Sequence, residues 1–349
     1  MSASTRAVPW QPGRLEVIGH RGARGHLVEN TVPSVFRAAQ LGATAVEIDV
    51  QLTADGQVVV WHDPVLLPAK VRDTRPAAPG DPAFPYVGRR VADLSYDQLA
   101  TLDVGSRAQP GFPGQATRPG TRIARLAEVL TAARDAAPGL WFLVELKCDP
   151  GAGTTAAPDA LVPAVLAEID RAGAADRVVL ESFDWRVLPL VAAQAPRLPR
   201  AALAAVGETW APGSPFLGPV QYAAHDGDLV AAAVSLGVDA VAPGYAGPAG
   251  AAGPGVGAAG PDGGAAGPGA GEVAPDGGAP TPEGGTVSAG SASLVCDRAF
   301  VERAHAAGLA VLPWTVNDPA DLALVVAAGV DGVISDYPDR VRRAAAGPA

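Results

Sequence analysis

Three carboxylates and two histidines stand at or near the ends of four short apolar runs, within residues 15–147. The runs read LEVIGHRG, AVEIDV, VVVWHD and WFLVELK. The acidic and imidazole side chains in them are His20, Glu47, Asp49, His62 and Glu145. Side chains alternate along a strand, so Glu47 and Asp49 share one face. If the four strands lie side by side and parallel, their carboxyl ends bring these groups into one pocket, together with Arg21 and Lys147.

The carboxylates Glu47, Asp49 and Glu145 predict a divalent-cation site. Oxygen ligands suit a hard cation such as Mg²⁺ or Ca²⁺ better than zinc, which would recruit histidine or cysteine. Three crowded carboxylates would also repel one another strongly without a cation among them. The alternative is that they are separate strand-end residues in salt bridges with Arg21 and Lys147.

His20 and His62 each close a strand beside another charged residue. Imidazoles titrate near neutrality, so one can take a proton from an attacking hydroxyl while the other gives one to the leaving oxygen. Arg21 and Lys147 can neutralise phosphate oxygens and also pair with the carboxylates. A single histidine at a strand end is more often structural, but the pair favours catalysis. The set therefore predicts metal-dependent hydrolysis of a phosphodiester, without indicating which histidine is the acid.

Composition excludes several other classes of protein. The chain has 349 residues, of which 48% are apolar, and no apolar run approaches the roughly 18 residues that span a bilayer. A net charge of −10 argues against binding to nucleic acid, which depends on clustered lysine and arginine. Cys148 and Cys296 have neither metal-binding spacing nor the number needed for a disulfide scaffold. The first residues lack the apolar core of a secretory signal, so we expect a cytoplasmic protein.

Strand-like and helix-like segments alternate along the chain, which is typical of a parallel sheet with helices outside it. Nine segments resemble strands, where a closed barrel has eight places. The tight turn at Asp55-Gly56 leaves no room for a helix before VVVWHD, so we expect the extra strand there. An open, doubly wound sheet is disfavoured because the first loop reads HRGARGHLVEN, without a GxGxxG phosphate motif. The prediction is a TIM (β/α)8 barrel.

Two long segments interrupt this alternation. Residues 64–122 form an insertion after the third strand that is rich in proline, glycine and arginine, and we expect substrate contacts there. Its one short helix is predicted over LSYDQLATLDVG, residues 94–105. Residues 244–292 are almost entirely glycine, alanine and proline, which predicts a disordered insertion without a catalytic role. We interpret residues 1–349 as a single domain with its core at about 16–340.

Ordered motifs along the chain resemble one enzyme family. They are His20-Arg21-Gly22, Glu29-Asn30-Thr31, Glu47-x-Asp49-Val50, Thr53-x-Asp55-Gly56, His62-Asp63, Glu145-x-Lys147, Ser182-Phe183, Trp314-Thr315-Val316-Asn317, Asp331-Gly332 and Ser335-Asp336-Tyr337-Pro338. Together they closely resemble the bacterial glycerophosphodiester phosphodiesterases, from about Glu16 to Arg340 apart from residues 244–292. One departure is Val28, where the family usually has proline before Glu-Asn-Thr.

The resemblance implies a TIM barrel that hydrolyses glycerophosphodiesters to sn-glycerol 3-phosphate and an alcohol with a divalent cation, in lipid and glycerol metabolism. The family pattern implies that the cation ligands are Glu47, Asp49 and Glu145. It implies that His20 and His62 are the acid and base and that Arg21 and Lys147 contact the phosphate. Trp314 would form an apolar wall. Without the family, Trp314 is about as well explained as a core residue of its strand.

Two alternatives to this function stay open at this point. One is a related barrel phosphodiesterase with lysophospholipase D or phospholipase C-like specificity. The other is a non-catalytic protein that binds glycerophosphate groups. Binding alone needs only the cations and the metal, so the presence of His20 and His62 favours an enzyme acting on a small-molecule substrate.

Overall fold

Parallel strands form the wall of a barrel in the computed structural model, which describes residues 6–11, 13–247 and 296–346. In chain order the strands are β1 (Glu16–Gly19), β2 (Ala45–Leu52), β3 (Val58–Val60), β4 (Trp141–Leu146), β5 (Val178–Ser182), β6 (Arg200–Ala204), β7 (Ala240–Pro243), β8 (Ala310–Val311) and β9 (Gly332–Ser335). Neighbouring strands follow the order β8-β7-β6-β5-β4-β2-β1-β9. The backbone N–H of Asp331 donates to the carbonyl of Val311, and that of Ile334 to the carbonyl of Pro313. These bonds join the two ends of the sheet, so the predicted TIM barrel is confirmed.

Helices alternate with the strands of the barrel. In chain order they are α1 (Val32–Gln40), α2 (Tyr96–Leu99), α3 (Leu126–Ala136), α4 (Pro158–Ala172), α5 (Val187–Gln194), α6 (Leu229–Ser235), α7 (Arg298–Ala306), α8 (Pro319–Ala328) and α9 (Pro338–Ala345). Single 3-10 turns lie at Val91–Asp93, Pro215–Leu217 and Tyr222–His225. None of the helices in the described ranges is long and apolar enough to cross a bilayer.

The extra strand is β3, as the Asp55-Gly56 turn predicts. It lies outside the barrel wall and pairs antiparallel with the end of β2, with Val60 opposite Val50. One residue later, the backbone N–H of Trp61 donates to the carbonyl of Asp49 over 3.0 Å. This doubling back carries His62 to the end of β2, beside the predicted cation ligands.

Strand alternation separates the barrel axis from its outer surface. On β2, Ala45 packs in the apolar cluster inside the barrel, whereas Val46 and Ile48 pack in the cluster beneath the helices. On β4, Leu143 faces inward in the same way. Small and branched side chains therefore fill the axis up to the level at which the acidic residues begin.

Residues 64–122 fold over the barrel around an apolar core of their own. Its fully buried side chains include Leu66, Tyr86, Leu94, Leu99 and Leu102, and the same cluster includes Trp61 and Ile123 from either side of the segment. The helix predicted over residues 94–105 is wrong in length, because only Tyr96–Leu99 is α-helical. The chain leaves the helix because the backbone of Asp103 forms two hydrogen bonds with that of Arg72, of 2.9 and 3.0 Å. We call residues 64–122 the excursion.

The predicted low-complexity insertion lies outside the described residues from position 248 onward. At its start, before position 248, the backbone N–H of Tyr245 donates to the carbonyl of Trp314 over 2.6 Å. After it, Asp297 caps α7 by accepting from the N–H of Phe300 over 2.7 Å. The chain is thus tied to the barrel on both sides of the segment.

Candidate active site

Three buried carboxylates meet at the carboxyl ends of β2 and β4. Asp49 stands opposite Glu145 in the parallel register of these strands, and Glu47 precedes Asp49 on the same face. One carboxylate oxygen from each of the three residues lies within 4.8 Å of the others. The residues are only 1 to 7% exposed. The structure therefore brings together the three predicted cation ligands.

The donor set and its electrostatics fit a divalent cation. Glu47 Oε1 and Asp49 Oδ1 are buried and have no hydrogen-bond partner among the described residues. Burial, and then the charge of Asp49, raises the pKa of Glu47 well above its ordinary value. Burial raises the pKa of Glu145 to about 7, with Lys147 opposing and Asp49 reinforcing the shift. A hard cation would bind these carboxylate oxygens and relieve the repulsion among them.

Arg21 and Lys147 lie against the carboxylates, as the salt-bridge alternative anticipates. Arg21 Nε lies 3.2 Å from Asp49 Oδ2, and the backbone N–H of Arg21 donates to Glu47 Oε2 over 2.8 Å. Lys147 Nζ lies 2.7 Å from Glu145 Oε1 and 3.4 Å from Asp49 Oδ1. Burial lowers the pKa of Lys147, but Glu145 and Asp49 outweigh it and raise that pKa overall. Two positively charged side chains thus face three carboxylates, so a further positive charge would balance the third carboxylate.

Asn30 orients Asp49. Its side-chain amide donates to Asp49 Oδ2 over 2.7 Å, and its amide oxygen accepts from the backbone N–H of Asp49 over 3.2 Å. Asn30 adopts a positive φ of 54°, a conformation in which asparagine is enriched. In addition, Thr31 caps α1 by accepting from the N–H of Ser34. The Glu-Asn-Thr block therefore serves both the helix start and the acidic cluster.

His20 follows β1 and is held by a buried aspartate. Its Nδ1 lies 2.7 Å from Asp336 Oδ1, and the side chain of Asn317 donates to Asp336 Oδ2 over 2.6 Å. The other ring nitrogen, Nε2, lies 3.9 Å from Glu47 Oε2. Burial lowers the pKa of His20, Asp336 opposes the shift and Arg21 adds to it. The neutral ring can donate from Nδ1 to Asp336 and keep the lone pair of Nε2 at the acidic cluster.

His62 follows β3 and is held by its own neighbour in sequence. Its Nδ1 lies 3.0 Å from Asp63 Oδ1, and Lys70 Nζ lies 2.6 Å from Asp63 Oδ2. Burial, and then the charges of Arg21 and Lys147, lowers the pKa of His62 to about 4. Both histidines therefore have one nitrogen fixed by a carboxylate and the other available for proton transfer.

Trp314 lies after β8 in a half-buried position. Its indole N–H donates to the carbonyl of Ala242 over 2.8 Å, so the polar end of the ring is used by the fold. The ring contacts Phe183 edge to face, with centroids 5.2 Å apart. The ring of Phe183 in turn lies 5.8 Å from Lys147 Nζ. The two rings thus form an apolar surface that reaches the lysine of the acidic cluster.

Comparison with known proteins identifies the family. The model of the glycerophosphoryl diester phosphodiesterase family matches residues 20–244 and 280–340. The chain belongs to this family. The glycerophosphodiester phosphodiesterase of Caldanaerobacter subterraneus is 30% identical over 186 residues, which are 52% of this chain and 63% of the relative. That of Bacillus subtilis is 30% identical over 132 residues, which are 37% of this chain and 40% of the relative. The chain thus spans less than two thirds of the length of these curated relatives.

Solved structures share the fold over nearly the whole chain. A Silicibacter pomeroyi protein, provisionally assigned as a glycerophosphoryl diester phosphodiesterase, is 29% identical with a TM-score of 0.70, covering 98% of this chain and 95% of that one. A phosphodiesterase of Oleispira antarctica, solved with the product sn-glycerol-3-phosphate, is 20% identical with a TM-score of 0.61, covering 94% of this chain and 96% of that one.

The barrel of this glycerophosphoryl diester phosphodiesterase family member also carries a buried acid that the sequence analysis missed. Glu181 on β5 is 0% exposed and pairs in register with Glu145. Neither of its carboxylate oxygens has a hydrogen-bond partner in the described ranges. Burial, and then the charges of Glu145 and Asp49, raises its pKa well above the ordinary value. Alternation from the inward-facing Val179 is the signal that could have placed Glu181 inside the barrel.

The sequence analysis also missed two residues that help to hold the predicted histidines. Asp336 contacts His20, and Lys70 contacts Asp63 beside His62. Asp336 lies within a motif that the sequence analysis noted without giving the residue a role. Lys70 lies in the excursion, where no local pattern distinguishes it from other basic residues. Its proximity to Asp63 depends on how the excursion folds back over the barrel.

Proposed function

We propose that this chain hydrolyses glycerophosphodiesters to sn-glycerol 3-phosphate and an alcohol. The observation that carries the proposal is a buried carboxylate triad accompanied by two histidines, each held at Nδ1 by an aspartate. Family membership supports the substrate class. The presence of sn-glycerol-3-phosphate in the Oleispira protein, which has the same fold, is in keeping with it.

Glu47, Asp49 and Glu145 would hold a divalent cation, Mg²⁺ or Ca²⁺, through their carboxylate oxygens. When bound, such a cation neutralises charge on the phosphate oxygens and polarises the phosphorus–oxygen bonds. Arg21 and Lys147 would bind the remaining phosphate oxygens, since each is already held at the acidic cluster by ion pairs. Trp314 and Phe183 would pack against the carbon atoms of the substrate.

His20 and His62 would move the protons of the reaction. With Nδ1 of each ring fixed by an aspartate, Nε2 is the nitrogen left for the substrate. One imidazole would accept a proton from the water molecule whose oxygen attacks phosphorus, and the other would donate a proton to the alcohol oxygen as its bond to phosphorus breaks. The aspartates would keep both rings in the productive orientation.

The test is release of sn-glycerol 3-phosphate by the purified 349-residue chain, which we propose to be one catalytic domain. The substrates are glycerophosphodiesters with choline, ethanolamine, glycerol or inositol as the alcohol, each with Mg²⁺ or Ca²⁺. The proposal predicts stoichiometric sn-glycerol 3-phosphate and alcohol with at least one substrate. Binding of these substrates without turnover would instead favour the non-catalytic alternative. Choline release only from lysophosphatidylcholine would favour lysophospholipase D specificity.

A further inference from the structure

Lys70 is the residue through which the excursion reaches the candidate site. Its Nζ lies 2.8 Å from Glu29 Oε1 and 2.6 Å from Asp63 Oδ2. The lysine side chain is only 13% exposed, and that of Glu29 is 2% exposed. An ammonium group this enclosed, with two carboxylates in direct contact, is a fixed part of the interior rather than a surface charge.

The two acids that contact Lys70 each hold a different member of the site. Asp63 uses its other oxygen, Oδ1, for His62 Nδ1 at 3.0 Å. Glu29 uses its other oxygen, Oε2, for Arg21 at 3.3 Å and for Arg24. Lys70 therefore links the histidine and the arginine of the site through one carboxylate on each side.

The position of Lys70 is set by the fold of the excursion. Its backbone N–H donates to the carbonyl of Leu67 over 2.9 Å, in a turn that also includes Val71. Val71 is 1% exposed in the apolar core of the excursion. The turn thus anchors the lysine to that core, while its side chain points back to the barrel.

The positive charge of Lys70 holds two neighbouring carboxylates together. Asp63 and Glu29 lie within 2.8 Å of the same nitrogen, so without Lys70 these two carboxylates would face each other in a largely buried space. Repulsion would then separate them or promote protonation of one of them. In either case Asp63 would lose the contact that fixes its second oxygen, and the orientation of the His62 ring would no longer be determined.

We infer that Lys70 is a positioning residue, which orients His62 through Asp63 and Arg21 through Glu29. The inference rests on the proposed function for its kinetic consequence but not for its structural one. It makes the excursion part of the candidate site and not only a segment that folds over the barrel. By holding Asp63 as a carboxylate, Lys70 keeps the His62 proton on Nδ1 and the lone pair on Nε2.

The kinetic test compares Lys70→Met and Lys70→Arg with Arg72→Met as the matched control. Arg72 lies in the same excursion but is 57% exposed in an ion pair with Asp103. We expect kcat of Lys70→Met to fall about 10- to 100-fold, in the range seen when partners that orient functional histidines are removed, while KM rises much less because Arg21 keeps its ion pair with Asp49. Lys70→Arg should recover part of the loss, and Arg72→Met should stay near wild type. An unchanged kcat in Lys70→Met, or an equal fall in Arg72→Met, would overturn the inference.

A second pair of measurements separates positioning from general destabilisation. The loss of kcat in the double variant Lys70→Met, Asp63→Asn should be clearly smaller than the product of the two single losses, because both changes break the same link to His62 and only Lys70→Met also affects the link to Arg21. Independent losses that multiply would contradict this. In chains with ¹⁵N-labelled histidine, the ring nitrogen signals of His62 should show a mixture of tautomers in Lys70→Met but one tautomer in wild type and Arg72→Met. Unaltered His62 signals in Lys70→Met would refute positioning even if the wild-type chain proved inactive on every glycerophosphodiester.

Discussion

The two histidines of the candidate site are held by different parts of the molecule. His20 follows β1 and contacts Asp336, which follows β9 and is fixed by Asn317 from the loop after β8. This half of the site consists entirely of loops at the ends of barrel strands. His62 follows the extra strand β3, and its Asp63 is fixed by Lys70 from the excursion.

The difference shows which features the barrel topology dictates and which it does not. β1 and β9 are neighbours in any closed barrel of this order, so Asp336 must arrive near His20. Nothing in the barrel requires a lysine near Asp63. The second half of the site depends on a segment that folds around its own apolar core. The following predictions test whether the two halves act in the same reaction and how far they differ in their effects on kcat and on stability.

The largest effect is expected from removing the histidines themselves. His20→Ala and His62→Ala should each lower kcat by roughly 10²- to 10⁴-fold, the usual contribution of a positioned acid or base. If the two groups act in one reaction, as we propose, the double variant should be less impaired than the product of the single losses. Steady-state kinetics on a glycerophosphodiester with saturating cation measures this. If either single variant keeps near-normal turnover while it still binds the cation, that histidine has a structural role only.

Replacing the aspartates that hold the two histidines should lower the stability of the chain to different extents in the two halves of the site. Asp336→Ala and Asp63→Ala should each lower kcat about 10- to 100-fold. The side chain of Asp336 is 1% exposed and that of Asp63 is 14% exposed. Asp336→Ala should therefore cost more unfolding free energy, about 1–3 kcal/mol, because it removes the carboxylate partner of the buried His20 ring and of the half-buried Asn317 side chain. Urea denaturation of both variants checks the order, and a larger cost for Asp63→Ala would reverse the comparison.

Much of the barrel half could be predicted from sequence, since strand alternation and order suffice to collect Glu47, Asp49 and Glu145. The extra strand was predictable for the same reason, because the Asp55-Gly56 turn forces an antiparallel return. Glu181 follows the same alternation and could have been found. Lys70 could not, because its contacts with Glu29 and Asp63 join residues that only the tertiary fold of the excursion brings together.

Burial of neutral His62 should make stability depend on pH. Its pKa is lowered from 6.5 to about 4 in the folded chain, first by burial and then by Arg21 and Lys147. Between these values the unfolded chain takes up a proton that the folded chain does not, so unfolding free energy falls as the pH decreases. The full contribution, about 3 kcal/mol, is present above pH 6.5 and is lost toward pH 4. Denaturation across this range without added metal should show a shallower dependence in His62→Gln, and equal slopes would contradict the prediction.

The smallest effect is expected outside both halves of the site. Replacing residues 250–290 with a short Gly-Ser linker should leave kcat within a few-fold and the melting temperature nearly unchanged. The composition of this segment supports no apolar core, and closure entropy grows slowly with loop length. The backbone bond from Tyr245 to Trp314 remains in the shortened chain. A large loss of activity would assign the segment a part in catalysis.

The measurement that tests the central claim most directly is release of sn-glycerol 3-phosphate before and after chelation. The proposed reaction depends on the carboxylates Glu47, Asp49 and Glu145, of which one oxygen each lies within 4.8 Å of the others. We predict that EDTA abolishes release by the wild-type chain and that excess Mg²⁺ or Ca²⁺ restores it. Asp49→Asn should need more cation for half-maximal rate and bind it more weakly by calorimetry. Full turnover after exhaustive chelation would contradict the account.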